Sequence, residues 1–157
     1  MTIEDLIREY TLKCTDIQTE ILAIISFSDK QREAARERRD REIREGCSSY
    51  HKKLQELYQK KYSLTAEKES LSSLVPGYKE MFQDVSTNLS IVSDEISDTK
   101  KDFAQFEDSI KKSYREFEQR LSVETELKLR TKSNIIGIYK QNMKQQIHDI
   151  NAKGGEE

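Results

Sequence analysis

Two cysteines, Cys14 and Cys47, and two histidines, His51 and His148, are the side chains of this sequence with the most capacity for chemistry. A thiolate attacks carbonyls and binds metals, and an imidazole moves protons or binds metals. Zinc needs three such ligands at a catalytic site and four at a structural one. The histidines stand in opposite halves of the chain. No Gly-x-Gly-x-x-Gly, Gly-x-x-x-x-Gly-Lys-[Ser/Thr] or Gly-x-Ser-x-Gly segment supplies a phosphate cradle or a nucleophile elbow. We expect no enzymatic activity, no cofactor, no metal and no small-molecule substrate. The cysteines are 33 residues apart. On one helix that separation is roughly 50 Å, too far for a disulfide. They read as small seam residues, and free thiols suit an intracellular protein of the cytoplasm or nucleus.

Charge is the next candidate chemistry. Arg32, Arg36 and Arg39 share one helical face inside the run Asp29 to Glu45, which suggests a surface for nucleic acid or an acidic partner. Acidic residues are interleaved throughout that run and no aromatic stacks among them, so the local field is small. Opposite charges fall four apart at Glu37/Arg41, Arg38/Glu42, Asp40/Arg44 and Arg41/Glu45, which favours a solvated helix stabilised by its own pairs. Phe103, Phe106, Tyr114 and Phe117 form an aromatic stripe that fits a core seam better than a ligand cage. Lys100, Lys101, Lys111, Lys112 and Arg115 hint at a membrane-surface face, but Asp94, Glu95, Asp98, Asp102 and Glu107 surround them. We expect neither a nucleic-acid nor a membrane partner.

The elements that carry these side chains follow from one position. Pro76 is the only proline, and Gly77 follows it. Proline disfavours helix in the residue before it, so Pro76 and Gly77 read as the hinge between two helices. Apolar residues recur at three- and four-residue steps on both sides, from Ile3, Leu6, Tyr10, Cys14 and Ile17 onward and again from Phe82, Val85, Leu89 and Val92. The register drifts between Val123 and Thr131. Lys61 and Lys68 interrupt the seam of the first half. Hydrophobic residues make up 34% and charged residues 36% of the chain, which suits a narrow seam between long helices rather than a multilayer core. The expected fold is all-α, a long two-helix antiparallel coiled-coil hairpin folded near Pro76. Helix one covers about residues 2–74 and helix two about 76–151, within one domain over 1–152, with 153–157 as a flexible tail. Folding there pairs Leu71 with Phe82, Leu64 with Leu89, Leu57 with Ile96 and Tyr50 with Phe103. It also brings Lys52 and Lys53 near Lys100 and Lys101. Gly46 reads as a local weak point of helix one.

The first helix is most apolar at Ile17, Ile21, Leu22, Ile24, Ile25 and Phe27, and the second has a matching cluster at Ile135, Ile136, Tyr139, Met143, Ile147 and Ile150. A face this broad exceeds one seam. We expect these residues to contact partner helices, in a homo- or hetero-oligomer. The sequence therefore points to a structural coiled-coil subunit of a larger intracellular complex. Chromosome scaffolds of the synaptonemal or kinetochore type, centrosomal and ciliary structures, and vesicle tethers all use such rods.

Overall fold

A computed structural model describes residues 1–154. Two helices account for nearly all of it: α1, Ile3–Ser70, and α2, Tyr78–Gly154. They pack against each other as an all-α helical hairpin. The chain resolves into two compact units, one of Met1–Ala35 with Arg115 onward, the other Arg36–Tyr114.

The turn is built by its local chemistry. The Tyr78 N–H donates to the Val75 carbonyl at 3.1 Å, across Pro76 and Gly77. Gly77 has φ +78, the left-handed value that the third residue of a type II turn requires and that glycine adopts at least cost. A second turn precedes it, with the Val75 N–H donating to the Ser72 carbonyl at 3.1 Å. The Ser72 hydroxyl accepts from the Leu74 N–H at 3.3 Å. These serine contacts compete with helix, so α1 stops at Ser70 rather than near Leu74. At the other end α2 continues through Gly154, past Asn151, so residues 153 and 154 are helical and not tail. Residues 155–157 of the expected tail lie outside the described residues.

Two of the expected pairs, Tyr50 with Phe103 and Leu57 with Ile96, are seen in contact. In the Arg36–Tyr114 unit, the Tyr50 ring packs at a tilt against Phe103, with ring centroids 5.3 Å apart, and against Phe106 at 5.7 Å. Leu57, Val92 and Ile96 form a buried cluster, flanked by Leu54, Tyr58 and Leu64. The crowding of lysines that this register implies is relieved in part because Lys100 places its ammonium 5.6 Å from the Tyr58 ring centre. Lys61 leaves the seam for solvent, while Lys68 stays half-buried with its ammonium over Phe82. In the other unit, Leu6, Ile17 and Leu121 are buried.

Buried positions in that unit explain the drift after Val123. Along α1 the inward residues are Ile24, Ser28, Arg32 and Ala35, and along α2 Leu121, Thr125, Leu129 and Lys132. Both run with steps of four, four and three, an eleven-residue repeat that unwinds the left-handed supercoil expected of strict heptads. The layer at this point is polar. Thr125 donates to the Ser28 hydroxyl at 3.0 Å, and Arg32 Nη2 donates to the Ser122 hydroxyl at 2.9 Å.

The start of α1 carries its own cap. The Asp5 N–H donates to the Thr2 hydroxyl at 3.2 Å, and the Thr2 N–H donates back to the Asp5 carboxylate at 3.1 Å. This reciprocal pair satisfies two amides that the first turn leaves open. The Thr2 N–H, and then the Thr2 side chain, hold the Asp5 carboxyl below its ordinary value. A carboxyl lowered in the folded state stabilises fully above its unfolded pKa, and the contribution is lost as pH falls through the folded pKa. Amide protection in the first turn, taken relative to the intrinsic exchange rate at each pH, is therefore expected to fall under acid conditions in the wild type. In Asp5→Asn that protection is expected to be low at neutral pH already and to show little further change on acidification. Equal, flat profiles would contradict the cap.

Candidate interaction surface

The arginine row resolves differently from its sequence reading. Arg32, Arg36 and Arg39 lie along the edge of the seam and reach toward α2. Arg36 Nε donates to the Tyr114 hydroxyl at 2.9 Å, and the Arg39 guanidinium sits 4.5 Å from the Tyr114 ring centre. Arg32 Nε is buried without a partner among the described residues, while its Nη2 holds Ser122. A planar guanidinium on a long apolar stem covers a thin seam and still stacks or donates, which lysine does less well. None of the four expected i,i+4 pairs closes to ion-pair distance among the described residues. The ion pair in this stretch is Arg39 Nε with Asp40 Oδ1 at 3.0 Å. These arginines engage α2 at the edge of the hairpin, Arg36 from an exposed position, and the aromatic stripe is its lining.

Cys47 and His51 stand one turn apart on α1, a two-ligand pair that the sequence reading passed over. Cys47 is half-buried and His51 exposed. Among the described residues no three His, Cys, Asp or Glu side chains gather as a metal site would need. His148 belongs to the other unit. Both cysteines are free thiols.

The apolar contact set divides in two. Ile17 is buried, and Ile21, Ile24, Ile135, Ile136, Tyr139, Met143, Ile147 and Ile150 are half-buried along the hairpin's own seam. Leu22, Ile25 and Phe27 point outward, with 67%, 40% and 56% of their surface exposed. Phe27 borders a groove of about 270 Å³ lined by Ala23, Ile24, Leu121, Glu124, Thr125 and Lys128, and the Lys128 ammonium lies 6.0 Å from its ring centre.

The same unit exposes Val123, Leu127 and Ile138 on α2, which sequence reasoning missed. The signal was present. Val123, Leu127, Thr131, Asn134, Ile138, Gln141 and Gln145 follow steps of four, four, three, four, three and four, all exposed and all uncharged. The helix therefore has a second stripe on its back. What looked like a drift of one seam is partly the overlap of two patterns. This surface offers apolar contact and amide hydrogen bonding, the chemistry that takes up another helix. No described helix is long and apolar enough to cross a membrane. No protein family matches this chain, and neither a characterised protein nor a solved structure is similar to it.

Proposed function

We propose that this chain is a non-enzymatic structural subunit that joins a larger assembly by taking partner helices onto its hairpin. One observation carries the reading: Leu22, Phe27, Val123, Leu127 and Ile138 are each more than half exposed within one unit of a chain otherwise rich in charge. Scattered exposed leucines are ordinary, but a periodic uncharged stripe on the back of a helix marks a contact surface. The half-buried seam points the same way. Two helices alone realise only part of the ~1.5–3 kcal/mol that full burial of each apolar side chain gives. Further helices would complete that burial, as in a four-helix arrangement. The free thiols favour a reducing compartment, cytoplasm or nucleus.

The test compares wild type with a Leu22→Glu/Phe27→Glu variant, both expressed in the source cell. Wild type should elute from gentle extracts in a high-mass complex, and the variant should leave it. Circular dichroism of the purified proteins should show equal helicity, because both side chains are already exposed. A wild-type chain that elutes from extracts with no partner protein would refute the reading.

A further inference from the structure

The Arg36–Tyr114 unit has a second surface with a different character. A groove of about 670 Å³ opens between its helices, lined by Glu56, Gln59, Lys60, Ser63 and Leu64 from α1 and by Asn88, Ile91 and Val92 from α2. Val92 belongs to the buried cluster and Leu64 packs on it, so the floor is apolar, and Ile91 is 49% exposed at the edge.

The two rims carry opposite charge. On α2 the rim continues as Asp84, Asn88, Ile91, Glu95, Asp98 and Asp102, at steps of four and three, with four carboxylates and no basic residue. On α1 the rim carries Lys52, Lys53 and Lys60 against two acids, Glu56 and Glu67. Among the described residues none of these lysines or α2 carboxylates has its side chain in an ion pair or hydrogen bond. In the other unit, by contrast, Glu9 pairs with Lys13, Glu20 with Lys132 and Glu126 with Arg130. The groove rims are thus two unsatisfied rows of opposite sign on either side of an apolar floor.

We propose that a second copy of this chain seats on this groove, with α1 of each copy against α2 of the other. Symmetry selects that arrangement. A face-to-face pair related by a twofold axis parallel to the helices places the basic rim of each copy on the acidic rim of its partner. A twofold axis across the helices would instead put lysines on lysines and carboxylates on carboxylates, which costs several kcal/mol per like-charge contact. Under the parallel axis both copies lie at one height, so the pairing seen within the hairpin carries over between copies. Lys52 and Lys53 then reach Asp98 and Asp102 of the partner subunit, Lys60 reaches Glu95 of the partner subunit, and the two Ile91 side chains cover the apolar floors. Glu56, and Glu67 at the height of Asp84 of the partner subunit, are the like charges in this contact. The inference rests on the proposal that the hairpin takes up further helices, and it names the occupant of one face.

Two charge-reversed versions of the full chain test it. One carries Lys52→Glu, Lys53→Glu and Lys60→Glu; the other carries Glu95→Lys, Asp98→Lys and Asp102→Lys. By light scattering across a wide concentration range, wild type should form a dimer that weakens as salt is raised. Each reversed chain should associate at least ~100-fold more weakly, since several like charges then meet. Mixed one to one, the two reversed chains should dimerise again, because every contact is once more between opposite signs. All substituted positions are exposed, so circular dichroism should be unchanged. Should a reversed chain lose helicity, the neutral glutamine and asparagine versions replace it, and these should weaken the dimer and abolish its salt dependence. A wild type that stays monomeric, a dimer that survives both reversals, or a mixture that fails to re-associate would each overturn the proposal. A monomeric wild type that still enters a high-mass complex in extracts would overturn this dimer alone and leave the partner-docking reading standing.

Discussion

Leu57→Ala should lower the stability of the Arg36–Tyr114 unit by about 2–3 kcal/mol. Leu57 is 5% exposed and meets Val92 and Ile96, themselves buried, in the one cluster of mutually packed core residues among the described positions. The value sits low in the usual ~2–5 kcal/mol range for such truncations because a two-helix seam can close over part of the void. Leu64→Ala, at a half-buried position beside the same cluster, should cost about 1 kcal/mol, in proportion to the smaller area withdrawn from water. Denaturant unfolding followed by circular dichroism gives both values. Amide exchange adds location: protection around Val92 should fall in Leu57→Ala. A cost for Leu57→Ala no larger than that for Leu64→Ala would mean that the cluster is not the core of this unit.

The second expectation is a change of sign. Gly46 sits inside α1, where glycine is normally worse than alanine by ~1 kcal/mol, so Gly46→Ala would stabilise an ordinary helix. Here the added β-carbon would overlap the Phe106 ring. That ring is not free to swing, because it packs on Tyr50 and is half-buried in the seam. Overpacking of this kind typically costs ~1–3 kcal/mol, which exceeds the propensity gain. Gly46→Ala should therefore destabilise the wild type, and Gly46→Val more so. In a Phe106→Ala background the obstacle is gone, and Gly46→Ala should become stabilising by up to ~1 kcal/mol. The thermodynamic cycle of the two substitutions isolates the contact. If Gly46→Ala stabilises both backgrounds equally, the glycine has no packing role.

Gly46 also illustrates where sequence and structure part. In the sequence it reads as a weak point, because a propensity scale sees only the helix that holds it. Its partner lies 60 residues away on α2, and only the fold shows that the missing side chain makes room for Phe106. The hairpin and its register were legible for a simpler reason. A single proline fixes where the chain reverses, and an apolar period of three and four leaves few ways to align two seams. Tyr50 meets Phe103 as that logic requires. The arginines failed because alternating charge on a helix normally means solvent. Arg32, Arg36 and Arg39 instead close a stretch of seam that has few apolar residues, through Ser122 and Tyr114. The proposed contact surface was half legible. Leu22, Ile25 and Phe27 face outward, but most of the remaining set lines the hairpin itself, and the exposed stripe through Leu127 and Ile138 was concealed by its overlap with the seam.

The thin seam has a calorimetric consequence. The heat capacity released on unfolding tracks the apolar surface that enters water, typically ~12–15 cal/mol/K per residue in globular domains. Here few side chains are buried among the described residues, Leu6, Ile17, Leu57, Val85, Val92, Ile96 and Leu121 with polar Ser28 and Thr99. Newly exposed polar surface lowers the increment that apolar surface raises. The stability curve of the isolated chain should accordingly be flat when followed by scanning calorimetry. Cooling should erode it slowly, because little of it is hydrophobic.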